Sequence, residues 1–540
     1  MLLNAQCDMR VHMVDFVEAV LKSMGPSLSS DVAAELSRRA KVSPAAARQR
    51  LSRARGNVRK LAGVPFARNA RFMYLEQQYG SPDYWNNLAA ALIASNSALG
   101  FAIAALRQSD GIVPVRQFPI VCGSPLRQLK QLSAETVLQR LTEAGLVKTV
   151  AVPSLGECVA LVQQEQYYGL RAAEMRARLI TEDILLAAIC DWLRKLGIAS
   201  YNLVATRTDD TLPQVGTFVW DLSAPSYLGA MVRFTREGEP KPGFVACDVN
   251  LTETMTLGGV APFIRKCTTL RALRNVGPCM QILVGERFDK DAFTALRAAG
   301  IIAATPRSLF GEDIAAALRE LTSVLIDAAN SMFDANRFEE LFRSLSKIEG
   351  ATNQLRGTLF EYIVADIAKR TFLGDVTMNR VFKVPGKEAE VDVLAIQPNH
   401  QVIAIECKGY SPRATIPDEL FKRWLQHNVP TAYAYIRQHP EWRNLPVAFE
   451  FWTSAPISEE SLSLFEKAKG KVRPSRYTIA LRGPLDVWKS CLDTGEKSLI
   501  DAYDMHFTPA DGPMPPLSRP QRLRVPVQSA SGAALDAEFA

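Results

Sequence analysis

Two carboxylates and one lysine interrupt a pair of apolar stretches between positions 389 and 409. Asp392 lies in the first stretch, and Glu406 and Lys408 lie two positions apart in the second. Alternate residues of a strand face the same side, so Glu406 and Lys408 are expected to share a face. A buried charge is costly unless it is paired or holds a metal ion. The pattern therefore predicts a site for a hard divalent ion, beside which the lysine can stabilise developing negative charge or orient a water.

The residues around these charges predict the β-hairpin that must position them. Apart from Asp392, apolar residues fill 391–396 and 402–405, and the Gln-Pro-Asn-His at 397–400 is typical of a turn. A hairpin partner can bring Asp392 onto the face that carries Glu406 and Lys408. A solvated salt-bridge cluster on an ordinary α/β sheet is the alternative, but such clusters do not normally lie inside two apolar strand patterns.

At these positions the chain resembles the PD-(D/E)xK nuclease superfamily, which has the restriction-endonuclease-like fold. The matching pieces are Asp392, the sequence Glu406-Cys407-Lys408, and an acid on the preceding helix in Gly-Thr-Leu-Phe-Glu, which ends at Glu361. The resemblance implies that Glu361, Asp392, Glu406 and Lys408 are catalytic. It also implies that Asp392, Glu406 and the carbonyl of Cys407 bind Mg²⁺ or Mn²⁺. Lys408 would then orient or deprotonate a water, and Glu361 would complete a second metal site or hold a metal-bound water.

The composition indicates a multidomain globular protein. The 540 residues exceed what one core usually supports, and the net charge of +7 suits a polyanionic partner without requiring one. Nine scattered cysteines without a C-x-x-C pair indicate a reducing cytoplasm.

The apolar stretch 88–106 has a polar Ser-Asn-Ser centre, so it predicts one or two buried helices and no membrane span. Charges near the first residue argue against a signal peptide.

Segment 1–80 has the layout of a winged helix-turn-helix domain. A helix capped at 29–31 precedes a turn and a basic helix that starts at Pro44, and 64–66 and 72–75 are expected to form the wing. The second helix of this motif enters the major groove of double-stranded DNA. A plain helical bundle with a solvated basic face is the alternative. The predicted DNA contacts are Arg48, Arg50, Arg53 and Arg55, with Arg68 and Arg71 at the wing tip.

Segment 81–165 predicts a second winged-helix-like domain, with a helix at 133–141 followed by strands. Because that helix carries few basic residues, packing or dimerisation is expected rather than base reading.

Segment 166–328 predicts an α/β domain whose sequence can be aligned with the segment around the carboxylates, so that Asp221 matches Asp392, and Asp248 and Asn250 match Glu406 and Lys408. Asparagine cannot supply a cation, so this copy is expected to be a degenerate, inactive restriction-endonuclease-like domain. An unrelated α/β domain is the alternative.

Segment 329–507 predicts the intact nuclease domain. A helical connector at 333–355 leads into it, and strands are expected at 431–436 and 447–452. A helix at 417–426 carries Lys422 and Arg423, which are candidates for contact with the DNA backbone or, alternatively, part of a solvated face. Segment 508–540 is rich in Pro, Ser and Ala and is expected to be a disordered tail.

These patterns predict a metal-dependent DNA endonuclease with DNA-binding domains at its N terminus. The layout resembles Mrr-type restriction and bacterial anti-phage or anti-plasmid defence proteins, which implies a role in defence and a partner protein of such a system. A homodimer is expected, because double-strand cleavage by one site usually requires paired subunits. The alternative is a non-catalytic regulatory or architectural DNA-binding protein, and RNA remains open as the substrate. The chain lacks a phosphate-binding G-x-x-x-x-G-K-[ST] loop, so ATP hydrolysis is not expected.

Overall fold

The computed structural model of the protein describes residues 16–152, 155–163, 168–234, 237–329, 337, 341, 344–345, 351–372 and 374–508. The fold is mixed α/β with several separate sheets, as the sequence predicts. In this part of the chain, no helix combines the length and the apolarity that crossing a bilayer requires. The predicted connector at 333–355 and the predicted tail lie largely outside the described residues.

The first unit, residues 16–78, is a small helical domain with a three-stranded antiparallel sheet of order β1-β3-β2. The basic helix begins at Pro44 as predicted, and the Ser43 side chain caps it by accepting the N–H of Ala46. Residues 64–66 are not the predicted wing strand. Val64 and Phe66 follow β2 without forming a strand, and their apolar side chains are buried in the core of the second unit described below. The elements are α1 (16–24), β1 (Ser27–Leu28), α2 (Ser29–Ala40), α3 (Pro44–Arg53), β2 (Val58–Lys60) and β3 (Phe72–Leu75).

The second unit, residues 82–161, repeats the order helix, strand, helix, helix, strand, strand after an additional leading helix. Its sheet has the equivalent order β4-β6-β5, again antiparallel. The apolar stretch 88–106 forms two helices, as predicted, because the chain turns at Asn96 and the Ser97 hydroxyl caps the second. The elements are α4 (Pro82–Ala94), α5 (Ala98–Gln108), β4 (Ile112–Pro114), α6 (Phe118–Val121), α7 (Ala134–Glu143), β5 (Val147–Val152) and β6 (Gly156–Leu161).

The first α/β unit, residues 168–329, contains a five-stranded sheet of order β15-β14-β13-β10-β7. Strands β13, β14 and β15 run parallel, and β10 pairs antiparallel with both β13 and β7. The elements are α8 (Tyr168–Lys195), β7 (Ala205–Thr206), β8 (Gln214–Val215), β9 (Phe218–Val219), β10 (Leu222–Ser226), β11 (Arg233–Phe234), β12 (Pro240–Lys241), β13 (Gly243–Asn250), α9 (Leu257–Arg271), β14 (Cys279–Gly285), α10 (Lys290–Ala298), β15 (Ile302–Ala304), α11 (Pro306–Phe310) and α12 (Glu312–Ala329).

The second α/β unit, residues 351–508, contains a five-stranded sheet of order β16-β17-β18-β19-β20. The predicted strand at 431–436 is a helix, because Val429, Ala432 and Ile436 are buried at helical spacing. The elements are α13 (Ala351–Thr371), β16 (Asp375–Val384), β17 (Lys387–Gln397), β18 (Gln401–Lys408), α14 (Asp418–Arg423), a π-helical turn (Trp424–Asn428), α15 (Val429–Gln438), β19 (Val447–Thr453), α16 (Glu459–Lys471), β20 (Thr478–Arg482), α17 (Pro484–Asp493) and α18 (Lys497–Phe507).

The two α/β units share one hydrophobic core. Helices α8, α12 and α13 pack in it together, and one face of each five-stranded sheet packs against them. The opposite face of each sheet packs into a separate core with helices of its own unit. Hydrogen bonds also join these helices: the hydroxyls of Thr181 in α8 and Thr322 in α12 share one, and the hydroxyl of Tyr362 in α13 donates to the carbonyl of Leu325 in α12. These helices therefore form layers between the two sheets.

Candidate active site

The hairpin formed by β17 and β18 positions the charged residues that the sequence singles out. The two strands pair antiparallel, with Val393 opposite Ile405 and Gln397 opposite Gln401, which confirms the predicted hairpin and turn. Asp392 directly precedes Val393, and Glu406 directly follows Ile405. The register therefore places the two carboxylates across from each other.

The ammonium of Lys408 lies at the centre of this cluster. Its Nζ is 2.6 Å from Oε1 of Glu406 and 3.5 Å from Oδ2 of Asp392. It also donates to the carbonyl of Cys407 at 3.0 Å. Asp392 is fixed by a second contact, because its Oδ2 accepts the N–H of Cys407 at 2.7 Å. The predicted trio thus converges on one point at the end of β18.

The cluster is largely withdrawn from water, which sets its charge state. Exposed fractions of the side chains are 11% for Glu406, 13% for Asp392 and 18% for Lys408. Burial by itself disfavours the ammonium, but the charges of Asp392 and Glu406 outweigh it and raise the pKa of Lys408. Burial and the charge of Asp392 raise the pKa of Glu406, against the opposing effect of Lys408. Lys408 therefore remains a cation at neutral pH.

Glu361 is brought to the same site by close packing of α13 on the end of β18. Gly409 allows this approach, since a Cβ there would lie 2.4 Å from Cβ of Phe360 and 2.7 Å from the carbonyl oxygen of Arg356. Burial raises the pKa of Glu361 to about 8, and the charges of Asp392 and Glu390 add to the rise while Arg176 opposes it. Glu361 therefore belongs to the electrostatic environment of the cluster.

Arg176 and Asn379 hold Glu361, and neither was a candidate from the sequence. Arg176 of α8 places Nη2 2.9 Å from Oε2 of Glu361, and Asn379 donates to the same oxygen at 3.4 Å. Asn379 is buried and has a φ of 50°, a left-handed conformation that asparagine tolerates better than most residues. Arg176 lies far from the motif in sequence, and no local pattern connects it to Glu361.

Two further polar residues border the cluster. Asn428, in the π-helical turn, donates from Nδ2 to Oε2 of Glu406 at 3.1 Å. Such turns often occur at functional sites, but the sequence pattern of a regular helix does not reveal them. The second is Glu390 of β17, two residues before Asp392. It is exposed at the rim, yet desolvation and the charge of Asp392 raise its pKa to about 7, so its titration is linked to the site.

The donor set fits a hard divalent ion such as Mg²⁺ or Mn²⁺. Among the described residues, no group of three or more His, Cys, Asp or Glu side chains is arranged to hold a metal ion. Here, however, two carboxylates and one backbone carbonyl surround a single cationic group, the ammonium of Lys408. Mg²⁺ prefers oxygen ligands, often uses one or two carboxylates and keeps several waters. Asp392, Glu406 and the carbonyl of Cys407 would hold such an ion.

The predicted DNA contacts differ in how available they are. Arg48, Arg53, Arg55, Arg68 and Arg71 are exposed and Arg50 is half-buried, and within the described structure none forms an ion pair with a carboxylate. Burial and the nearby charges of Arg55 and Arg71 lower the pKa of Lys60, so cations cluster on this surface. In the second α/β unit, Arg423 is exposed, whereas Lys422 is paired with Glu460 at 2.9 Å.

The first α/β unit contains an equivalent cluster in the register that the sequence predicts. Leu222 lies opposite Cys247, which puts Asp221 and Asp248 in the positions of Asp392 and Glu406. The sequence did not reveal that a lysine reaches this site from α9. Nζ of Lys266 lies 2.5 Å from Oδ2 of Asp248, and its side chain is only 1% exposed. Asn250 therefore stands where the second unit has Lys408, but the ammonium of Lys266 forms an ion pair with Asp248 instead.

Comparison with protein-family models gives no match for the chain, and comparison with curated proteins gives none either. The geometry of the cluster and of the surfaces around it therefore carries the functional argument.

Proposed function

We propose that this protein is a metal-dependent nuclease of the PD-(D/E)xK type that hydrolyses phosphodiester bonds in double-stranded DNA. The observation that carries the proposal is the convergence of Asp392, Glu406 and the Cys407 carbonyl on the ammonium of Lys408. Two anions and one cation held at a strand end can bind a hard ion and face a phosphate. The proposal includes a restriction-endonuclease-like fold for both α/β units.

The residues of the site have separable roles in this proposal. A bound Mg²⁺ or Mn²⁺ would supply Lewis acidity toward the scissile phosphate, held by Asp392, Glu406 and the Cys407 carbonyl. Because its pKa is raised, Lys408 keeps its proton and stabilises negative charge on the phosphate rather than acting as a base. Glu361, with a pKa of about 8, can accept the proton of the attacking water on a carboxylate oxygen near neutral pH.

The first unit supports DNA as the substrate. Its order of helices and strands agrees with the winged helix that the sequence predicts, and α3 presents exposed arginines without carboxylate partners among the described residues. Exposed arginine and lysine side chains that neutralise phosphates supply most nonspecific affinity for DNA. We extend the proposal to bacterial defence against phage or plasmid DNA together with a partner protein, a role that follows from the resemblance to Mrr-type proteins.

A second candidate is a DNA-binding regulatory or architectural protein that does not cut. The first α/β unit favours it, since Asp221 and Asp248 there are neutralised by fixed arginine and lysine side chains. The same chain thus uses one carboxylate cluster as a structural element. The intact strand lysine of the second unit favours cleavage.

The test is incubation of the protein with supercoiled plasmid and Mg²⁺ or Mn²⁺, beside Asp392→Ala and Lys408→Ala. We expect cutting by the wild type and a loss on the order of 100-fold or more in each variant. Cutting that survives both substitutions refutes the site. DNA binding by a wild type that never cuts supports the second candidate, and labelled RNA in parallel decides the substrate. Calorimetry should show tighter Mg²⁺ binding to the wild type than to Glu406→Ala.

A further inference from the structure

The two α/β units are built on one plan, down to the hydrogen bonds of their clusters. Each has an antiparallel pair of strands at the site followed by parallel strands. Oδ2 of Asp221 accepts the N–H of Val249 at 2.8 Å, as Oδ2 of Asp392 accepts the N–H of Cys407 at 2.7 Å. The chain therefore contains two copies of one unit.

Equivalent helices of the two copies face each other. Helix α8 precedes the first sheet, α13 precedes the second, and both pack in the shared core. Two subunits related by a twofold axis meet in the same manner, through the same patch on each. The contact includes polar groups, because Arg176 of the first copy reaches Glu361 of the second. The face that α13 presents is thus already covered within one chain.

In the first copy, the carboxylates of the cluster form ion pairs with two buried cations, Arg207 and Lys266. Arg207 contacts Glu182, Asp183 and Asp221 at 2.8–3.2 Å, and its side chain is 4% exposed. Lys266 contacts Asp248 and donates to the carbonyl of Ile120 in the second unit. The carboxylates that would hold an ion are therefore committed to buried ion pairs, and Asn250 occupies the position of the strand lysine.

We infer that the first α/β unit takes the place of a second subunit without cutting, so that a single chain nicks one strand of duplex DNA. The inference rests on the proposed nuclease function, and it replaces the expected homodimer by a pairing inside the chain. Each nick consumes one water. The water oxygen bonds to phosphorus, the bond from phosphorus to one sugar oxygen breaks, and that oxygen takes up a proton.

Product analysis on supercoiled plasmid with Mg²⁺ tests the inference. We expect open-circular DNA as the first product, formed at a rate proportional to protein concentration, with linear DNA only after independent nicks fall opposite each other. Sedimentation should show a monomer of 59.5 kDa under the same conditions. Linear DNA that forms directly, or a rate that rises with the square of protein concentration, overturns the inference while leaving the nuclease proposal intact. No cutting, or cutting that Asp392→Ala leaves unchanged, refutes the nuclease proposal and the inference with it.

Two matched pairs of variants identify the cutting copy. Glu406→Gln and Lys408→Ala should each reduce nicking by roughly 100-fold or more. The equivalent changes in the first copy, Asp248→Asn and Asn250→Ala, should leave the rate within about twofold, since no reacting group is altered there. Circular dichroism shows which variants are folded, and Asn250→Ala serves if Asp248→Asn does not fold. Loss of nicking in a folded first-copy variant overturns the inference.

Discussion

Nη2 of Arg176 lies 2.9 Å from Oε2 of Glu361, although 185 positions separate the two residues. The arginine comes from the helix that opens the first α/β unit, and the glutamate from the helix that opens the second. The contact joins the units at the candidate site itself, so the charge of Glu361 depends on how the two units pack.

Replacement of Arg176 should change the pH dependence of cutting as well as its rate. The charge of Arg176 lowers the pKa of Glu361, so in Arg176→Ala that pKa should rise further. If ionised Glu361 is required, we expect about tenfold slower cutting at neutral pH and an upward shift of about one unit in the pH–rate midpoint. Arg176→Lys should recover most of the rate, and higher pH should rescue Arg176→Ala. A loss that is equal at every pH would mean that Arg176 only stabilises packing.

The free energy of unfolding of the metal-free protein should fall as the pH is raised. The folded-state pKa of Glu361 is about 8 against an ordinary value of 4.5, and those of Glu390 and Glu406 are raised too. Between these limits the folded state binds more protons than the unfolded state, so stability is largest near pH 5 and is lost as the pH rises through about 8.

Thermal unfolding at pH 5, 7 and 9 measures this effect. We expect a lower Tm at pH 9 than at pH 5, by roughly 2 °C or more from Glu361 alone. Because other buried carboxylates also titrate, the informative quantity is the difference from Glu361→Gln, whose Tm should vary less with pH. Mg²⁺ should reduce the decline by binding ionised carboxylates. An identical pH profile for the wild type and Glu361→Gln would contradict the raised pKa.

Enlargement of Gly409 should damage the site without removing any charge. A Cβ at this position would lie 2.4 Å from Cβ of Phe360, so α13 and β18 must separate. We expect Gly409→Ala to lower stability by about 1–3 kcal/mol and to reduce cutting by more than tenfold, because Glu361 moves away from Lys408. Gly470→Ala, where a Cβ meets no atom within 4 Å, is the control. Equal activity of the two variants would show that this close approach is unimportant.

Removal of exposed arginines of α3 should weaken DNA binding in a salt-dependent way. The logarithm of the DNA-binding constant falls linearly with the logarithm of the salt concentration. If each arginine neutralises one phosphate, Arg48→Ala and Arg53→Ala should each make this negative slope less steep by about 0.9. Arg38→Ala is a matched control in the same unit, because Arg38 is exposed but paired with Glu35 at 2.6 Å. Fluorescence anisotropy at several salt concentrations gives the slopes. Unchanged slopes for both α3 variants would place the DNA surface elsewhere.

Local patterns in the sequence predicted most of the elements and the core of the site. The hairpin, the trio on it and the repeat in the first α/β unit followed from apolar periodicity and spacing, which act over a few residues. The prediction of a strand at 431–436 was wrong, because the alternation around Tyr433 and Tyr435 has the strand period while the buried residues Val429, Ala432 and Ile436 have the helical one. Arg176, Lys266 and Asn428 were missed because only tertiary packing brings them to the carboxylates.

The bond from Lys266 to the carbonyl of Ile120 has a consequence for dissecting the chain. The donor belongs to the first α/β unit and the acceptor to α6 of the second unit. Removal of the second unit would therefore leave the buried ammonium of Lys266 with Asp248 but without the Ile120 carbonyl. Fragments that lack the first two units, residues 1–161, should consequently aggregate or refold poorly, even where the remaining sheets are intact. The second unit would then be a required part of the folded first α/β unit rather than a separable module.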